Sequence, residues 1–136
     1  MLEIEILGTE RVADPPTQVQ IERLCVLALA CAGIEGGHLA IEFVSASRIA
    51  ELNAEYRRKH GPTDVLSFPI DGVQADGWSG DGPPRELGDI VICPEHTADL
   101  HEAILHGVLH LLGMDHESDD GEMLAVQAEL LRWARL

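Results

Sequence analysis

The chain has 136 residues, of which 46% are apolar and 24% charged, a balance that suits one domain (1–136) with one core and excludes a disordered chain. The net charge of −15 argues against broad, non-specific binding to nucleic acid. It leaves room for a local basic site, because exposed charges are screened beyond about 8 Å at physiological salt. No apolar stretch has the length to span a bilayer, and Met1–Ile6 alternates instead of forming the basic flank and apolar run of a signal peptide. A cytoplasmic location without membrane contact is therefore expected. Cys25, Cys31 and Cys93 lie at no ligand-like spacing and read as buried, reduced thiols.

Residues 2–7 alternate and predict a strand. Asp14-Pro15-Pro16 follows, an N-cap residue with proline at the first helical position. Val19, Leu24, Leu27, Ala28 and Cys31 then recur at helical spacing until Gly33. His38 to Val44 alternates again, with Ser45 as the cap of a helix over about 47–57 whose apolar face carries Ile49, Leu52 and Tyr56. Residues 64–70 predict a strand. Residues 71–86 are rich in glycine and proline and read as a loop long enough to serve as a flap. Leu87–Cys93 predicts another strand, and a helix is expected from about Pro94 to Leu112, stopped by Gly113. A last helix is expected from about Ser118 to Arg135, capped by Ser118, with Met123, Val126, Leu130 and Trp133 on its apolar face. The order β-α-β-α-β-β-α-α implies an α+β domain, a mixed sheet of about four strands packed with helices.

The chemistry concentrates in His106-Gly107-Val108-Leu109-His110-Leu111-Leu112-Gly113-Met114-Asp115-His116. Four residues apart on a helix, His106 and His110 project from one face, one turn apart. Gly113 then lets the chain turn back and bring His116 to the same point. Three neutral imidazoles around one zinc ion leave a fourth position for water, the layout of a catalytic site on a helix and its following turn. The spacing also matches a zinc-peptidase group, but those enzymes need glutamate after the first histidine, and this chain has Gly107. Asp115 suits three roles: partner of a ligand histidine, base toward water, or stabiliser of the turn. His96 and His101 do not share a face and read as solvated, and His38 reads as structural.

The segment HGVLHLLGMDH resembles the signature of the bacterial YbeY family of endoribonucleases, or rRNA maturation factors. Two further blocks are similar to that family's: Leu52-Asn53-Ala54-Glu55-Tyr56-Arg57-Arg58-Lys59-His60-Gly61-Pro62-Thr63-Asp64-Val65-Leu66-Ser67-Phe68-Pro69 and Leu87-Gly88-Asp89-Ile90-Val91-Ile92. The resemblance implies one zinc ion per chain held by His106, His110 and His116, and hydrolysis of single-stranded RNA. It implies action on the 16S rRNA precursor and the ribosome, in maturation and quality control, with ribosome-associated proteins as possible partners. It also carries a functional arginine onto Arg57, whose guanidinium can donate two parallel hydrogen bonds to a phosphate. Members of the family usually have aspartate where this chain has His60. Arg58 and Lys59 are expected to add positive charge for substrate binding, and Asp115 joins Arg57 as a catalytic candidate. Two rivals stand beside this reading. One is a non-catalytic assembly factor with a structural zinc; the other is a metallopeptidase, which Gly107 disfavours.

Overall fold

The structure, a computed structural model, describes residues 2–71, 85–115 and 119–135. Among these residues four strands, β1 (Leu2–Leu7), β2 (Gly37–Phe43), β3 (Val65–Pro69) and β4 (Glu86–Ile92), form one mixed sheet in the order β1-β2-β4-β3. The pairs β1–β2 and β2–β4 are parallel, while β3 runs antiparallel to β4 at the sheet edge. The described residues also form four α-helices: α1 (Gln18–Cys31), α2 (Ala46–Leu52), α3 (Leu100–Leu111) and α4 (Glu122–Ala134). The expected α+β architecture and element order are present. None of the described helices is long and apolar enough to cross a membrane.

The main core lies between the sheet and α1, α3 and α4. Leu39, Ile41 and Phe43 from β2 and Leu87, Ile90 and Ile92 from β4 meet Ile21, Leu24, Ile104, Val108, Leu109 and Met123 there. A smaller cluster on the other face packs Ile49 and Leu52 of α2 against Leu66 and Val91. With aromatics at 4% of the chain, aliphatic side chains fill both.

Several local expectations are corrected. Helix α1 begins at Gln18, capped by Thr17, and not at Pro15 with Asp14 as cap. Pro16 disfavours helical geometry at Pro15. Thr17 instead forms a reciprocal capping box, its Oγ1 accepting from Gln20 N and Gln20 Oε1 accepting from Thr17 N. The buried stripe of α1 is Ile21, Leu24, Cys25, Ala28 and Leu29, so Val19 is 72% exposed. Cys31 also falls off that stripe and is exposed, whereas Cys25 and Cys93 are buried as expected. Burial, helped by nearby Glu22, pushes the Cys25 thiol up to about 12, so it stays protonated and packs as a hydrophobe.

Ser45 does cap α2, accepting from Arg48 N. The predicted helix 94–112 is interrupted: Pro94–His96 is a 3₁₀ turn, and α3 starts only after Asp99. The Asp99 carboxylate accepts from His101 N and Glu102 N, taking two donors that a continuous helix would bond to its own carbonyls. Partial burial pushes Asp99 upward. The Glu102 N–H and the Arg135 guanidinium outweigh that and hold the carboxyl below its usual range. His96 is exposed as expected, whereas His101 is only half exposed and lies 3.9 Å from Asp99.

Gly113 ends the helix at φ 90°. Helix α4 starts at Glu122, with Asp119 accepting from Gly121 N and Met123 N; Ser118, the expected cap, lies outside the described residues. Met123 and Leu130 are buried, but Trp133 is 55% exposed and donates its indole N–H to Glu129. The expected flap falls mostly on residues 72–84, outside the described residues; its flanks are joined by Asp71 N donating to Glu86 O. His38 is structural as expected. Its ring bonds Glu86 at 2.9 Å and lies 3.8 Å from Glu5, tying β1, β2 and β4 together. The hydrogen bond to Glu86 raises its pKa, with Glu5 and Glu3 adding to the effect and burial opposing it.

Candidate active site

A cleft of about 430 Å³ opens between α3, β3 and the segment that follows α2. Its lining includes Asn53, Arg57, Lys59, Asp64, Ser67, His106, His110 and Asp115. Thus Arg57, Lys59, His106, His110 and Asp115, chosen from sequence, meet around one space. Arg58 is not part of the lining. His116, the third expected ligand, lies outside the described residues.

The segment carrying Arg57 is not the simple helix that its sequence predicts. After Leu52 the winding widens to a π-helical turn, Asn53–Arg57, closed by Arg58 in left-handed geometry at φ 55°. A π turn has i→i+5 bonds and holds about one more residue than an α turn, so side chains along it shift off the face that α-helical spacing predicts. Tyr56, expected on the apolar face, is accordingly 60% exposed and packs edge-to-face with Phe68 at 5.2 Å. Arg57 lines the cleft. Buried Asn53 anchors the turn. Its side-chain amide donates to Gly61 O at 2.9 Å, and its carbonyl accepts from Lys59 N at 3.2 Å. Those bonds fold the 58–61 stretch back so that Lys59 also reaches the cleft lining.

On α3 the two imidazoles converge. His110 Nε2 and His106 Nε2 are 3.0 Å apart. Two nitrogens bound at about 2.0–2.1 Å to one tetrahedral zinc would stand roughly 3.3 Å apart, so a small opening of the pair accepts the ion. The ring of His106 is held from behind, its Nδ1 donating to Gln127 Oε1 at 2.7 Å. The donors present therefore fit a zinc ion. Among the described residues no group of three or more His, Cys, Asp or Glu side chains is placed to share an ion, and the third ligand expected from the sequence, His116, is not one of them.

Helix α3 sits unusually close to the sheet. Gly107 is buried, and a Cβ built on it would lie 2.6 Å from Ile90 Cγ2. Ser67 Oγ donates to the Gly107 carbonyl at 2.9 Å, pinning edge strand β3 to the helix beside the histidines. The residue after the first histidine thus faces the sheet, where a peptidase glutamate would have no room. Gly107→Ala is expected to cost about 1–3 kcal/mol, because buried, β-branched Ile90 must shift. Urea unfolding of the variant checks this, and an unchanged midpoint would mean that the sheet yields freely.

Sequence reading missed Gln127, Asn53 and Ser67 as site residues. The last two lie inside the quoted 52–69 block but carry no chemical signature of their own. Nothing local marks Gln127, which is 21 residues from His106 and on another helix.

A profile of the endoribonuclease YbeY family matches residues 9–134. The chain belongs to the YbeY family. Among curated YbeY endoribonucleases, that of Macrococcus caseolyticus is 36% identical, covering 96% of this chain and 94% of its own. That of Salinispora tropica is 43% identical over 68% of this chain and 71% of its own. The solution structure of the Thermotoga maritima protein TM1509 shares the fold, with a TM-score of 0.51 and 27% identity, over 96% of this chain and 88% of that one. The YbeY match embraces both the histidine helix and the arginine-bearing π turn.

Proposed function

We propose that this chain is a zinc-dependent endoribonuclease that cuts single-stranded RNA, with the 16S rRNA precursor on the ribosome as substrate and the cytoplasm as its place of action. One observation carries the reading: the paired Nε2 atoms of His106 and His110 share a cleft with Arg57 and Lys59. A metal and two cations answer the needs of a phosphodiester, whose oxygens carry charge that grows in the transition state. Membership of the YbeY family supports the same chemistry.

His106, His110 and, from the following turn, His116 would hold the zinc. When bound it supplies Lewis acidity and lowers the pKa of water toward about 7. The protein's own groups do the rest. The Arg57 guanidinium grips two phosphate oxygens and neutralises the charge building on them. Lys59 adds a second positive charge at the cleft. Asp115, which lines the same space, would take a proton from the attacking water and give it to the ribose oxygen that leaves as its bond to phosphorus breaks.

RNA and casein, offered side by side with and without chelator, test this. RNA is cut, casein is not, chelator stops the reaction, and added salt weakens it steeply if Arg57 and Lys59 contact phosphates. Chelator-sensitive casein cleavage would overturn the nuclease reading. Zinc-loaded protein that cuts neither casein nor RNA, even on supplied ribosomes, would mean an assembly factor with a structural zinc.

A further inference from the structure

The histidine face of α3 is not aimed by α3 alone. Gln127 comes from α4, its side chain almost fully buried at 7% exposure, and its Oε1 accepts the Nδ1 proton of His106 at 2.7 Å. A neutral imidazole carries one N–H, so a proton held on Nδ1 leaves the lone pair on Nε2. That Nε2 is the atom that meets His110 Nε2. Helix α4 is itself locked in place: Met123 and Leu130, one turn on either side of Gln127, are buried in the main core.

We infer that Gln127 is a positioning residue: it fixes the tautomer and ring orientation of His106 and so prepares Nε2 for the metal. The inference rests on the zinc reading proposed above. Two features of the residue suit it to the task. An amide oxygen accepts a hydrogen bond without adding charge, so it orients the ring while leaving the ligand set neutral. Because it stands on a different helix, metal affinity depends on the packing of α4 against α3, and not on the i, i+4 spacing alone. Partners of this kind typically contribute ten- to a hundredfold in metal affinity.

The test uses full-length protein with ¹⁵N-labelled histidine. In the metal-free state, nitrogen chemical shifts above pH 8 report the His106 tautomer; zinc affinity is measured separately by competition with a chelating dye. Wild type should show His106 as the Nδ1–H form. Gln127→Met, of similar length but without an acceptor, should shift it to a mixture of tautomers and weaken zinc binding by about 10–100-fold. Gln127→Glu, which keeps an oxygen in place, should restore both the tautomer and at least the wild-type affinity. Should Gln127→Met fail to fold by circular dichroism, Gln127→Asn, whose shorter side chain withdraws the acceptor, reads the same two quantities. Wild-type affinity in the acceptor-less variant overturns the inference. So does weakened affinity with an unchanged tautomer, which would be a packing effect. A wild-type protein that takes up no zinc would overturn the metal reading itself, and the metal-free tautomer measurement keeps the two failures apart.

Discussion

His110→Ala should reduce the zinc content of the purified protein from about one ion per chain to almost none, and RNA cleavage should vanish with it. Three imidazoles with an open fourth position bind zinc firmly; two leave it to exchange with solvent. His110 is in the last turn of α3, on a helix whose opposite face is buried as Val108, Leu109 and Leu111. Truncating its ring therefore removes a ligand and leaves the core intact. The helix should persist by circular dichroism. Stability should still fall in zinc-containing buffer, because a ligand bound only by the native state adds RT ln(1 + [L]/Kd), about 2.7 kcal/mol at a hundredfold excess over Kd. The difference should disappear when both proteins are measured with chelator. Elemental analysis decides the matter: full zinc retention in His110→Ala would remove this histidine from the ligand set.

Arg57→Ala should lower RNA cleavage by about a hundredfold or more while zinc content stays at the wild-type level. The magnitude is that of removing one preorganised donor to the transition-state charge, about 10²–10³ in rate. Structure favours a clean result. Arg57 is exposed at the end of the π turn, and the turn is anchored by the Asn53–Gly61 hydrogen bond, not by the arginine. Arg57→Lys should recover only part of the loss, since an ammonium cannot reproduce the bidentate fork. Cleavage unchanged in Arg57→Ala would mean that another group, with Lys59 the nearest alternative in the cleft, clamps the phosphate.

Much of the fold was legible because its signals are local. Alternation marked β1 and β2, Ser45 marked the start of α2, and Gly113 marked the end of α3. The expectation that His106 and His110 face the same way needed only the helical repeat, and their Nε2 atoms do converge. The misreadings share another cause. At Thr17 and Asp99, side chains competed for backbone donors and moved the helix starts by a few residues. Tyr56 and Trp133 look like core residues by periodicity. The first is turned outward within a π turn held by a bond to Gly61, eight residues away from Asn53; the second lies at a helix end where its indole finds Glu129.

What the sequence determined by itself is the chemistry on offer: two histidines on one helical face, a third beyond a glycine, and an arginine in a block shared with the YbeY family. Such features are set within a turn or two of chain, where covalent spacing fixes geometry. Only the tertiary structure decided that Arg57 and Lys59 share a cleft with the histidines, that Gly107 is glycine because α3 rests against Ile90, and that Gln127 stands behind His106. Each of these joins residues from different elements. Their distances depend on how the helices pack on the sheet, a quantity that burial of the whole core sets and no short run of residues encodes.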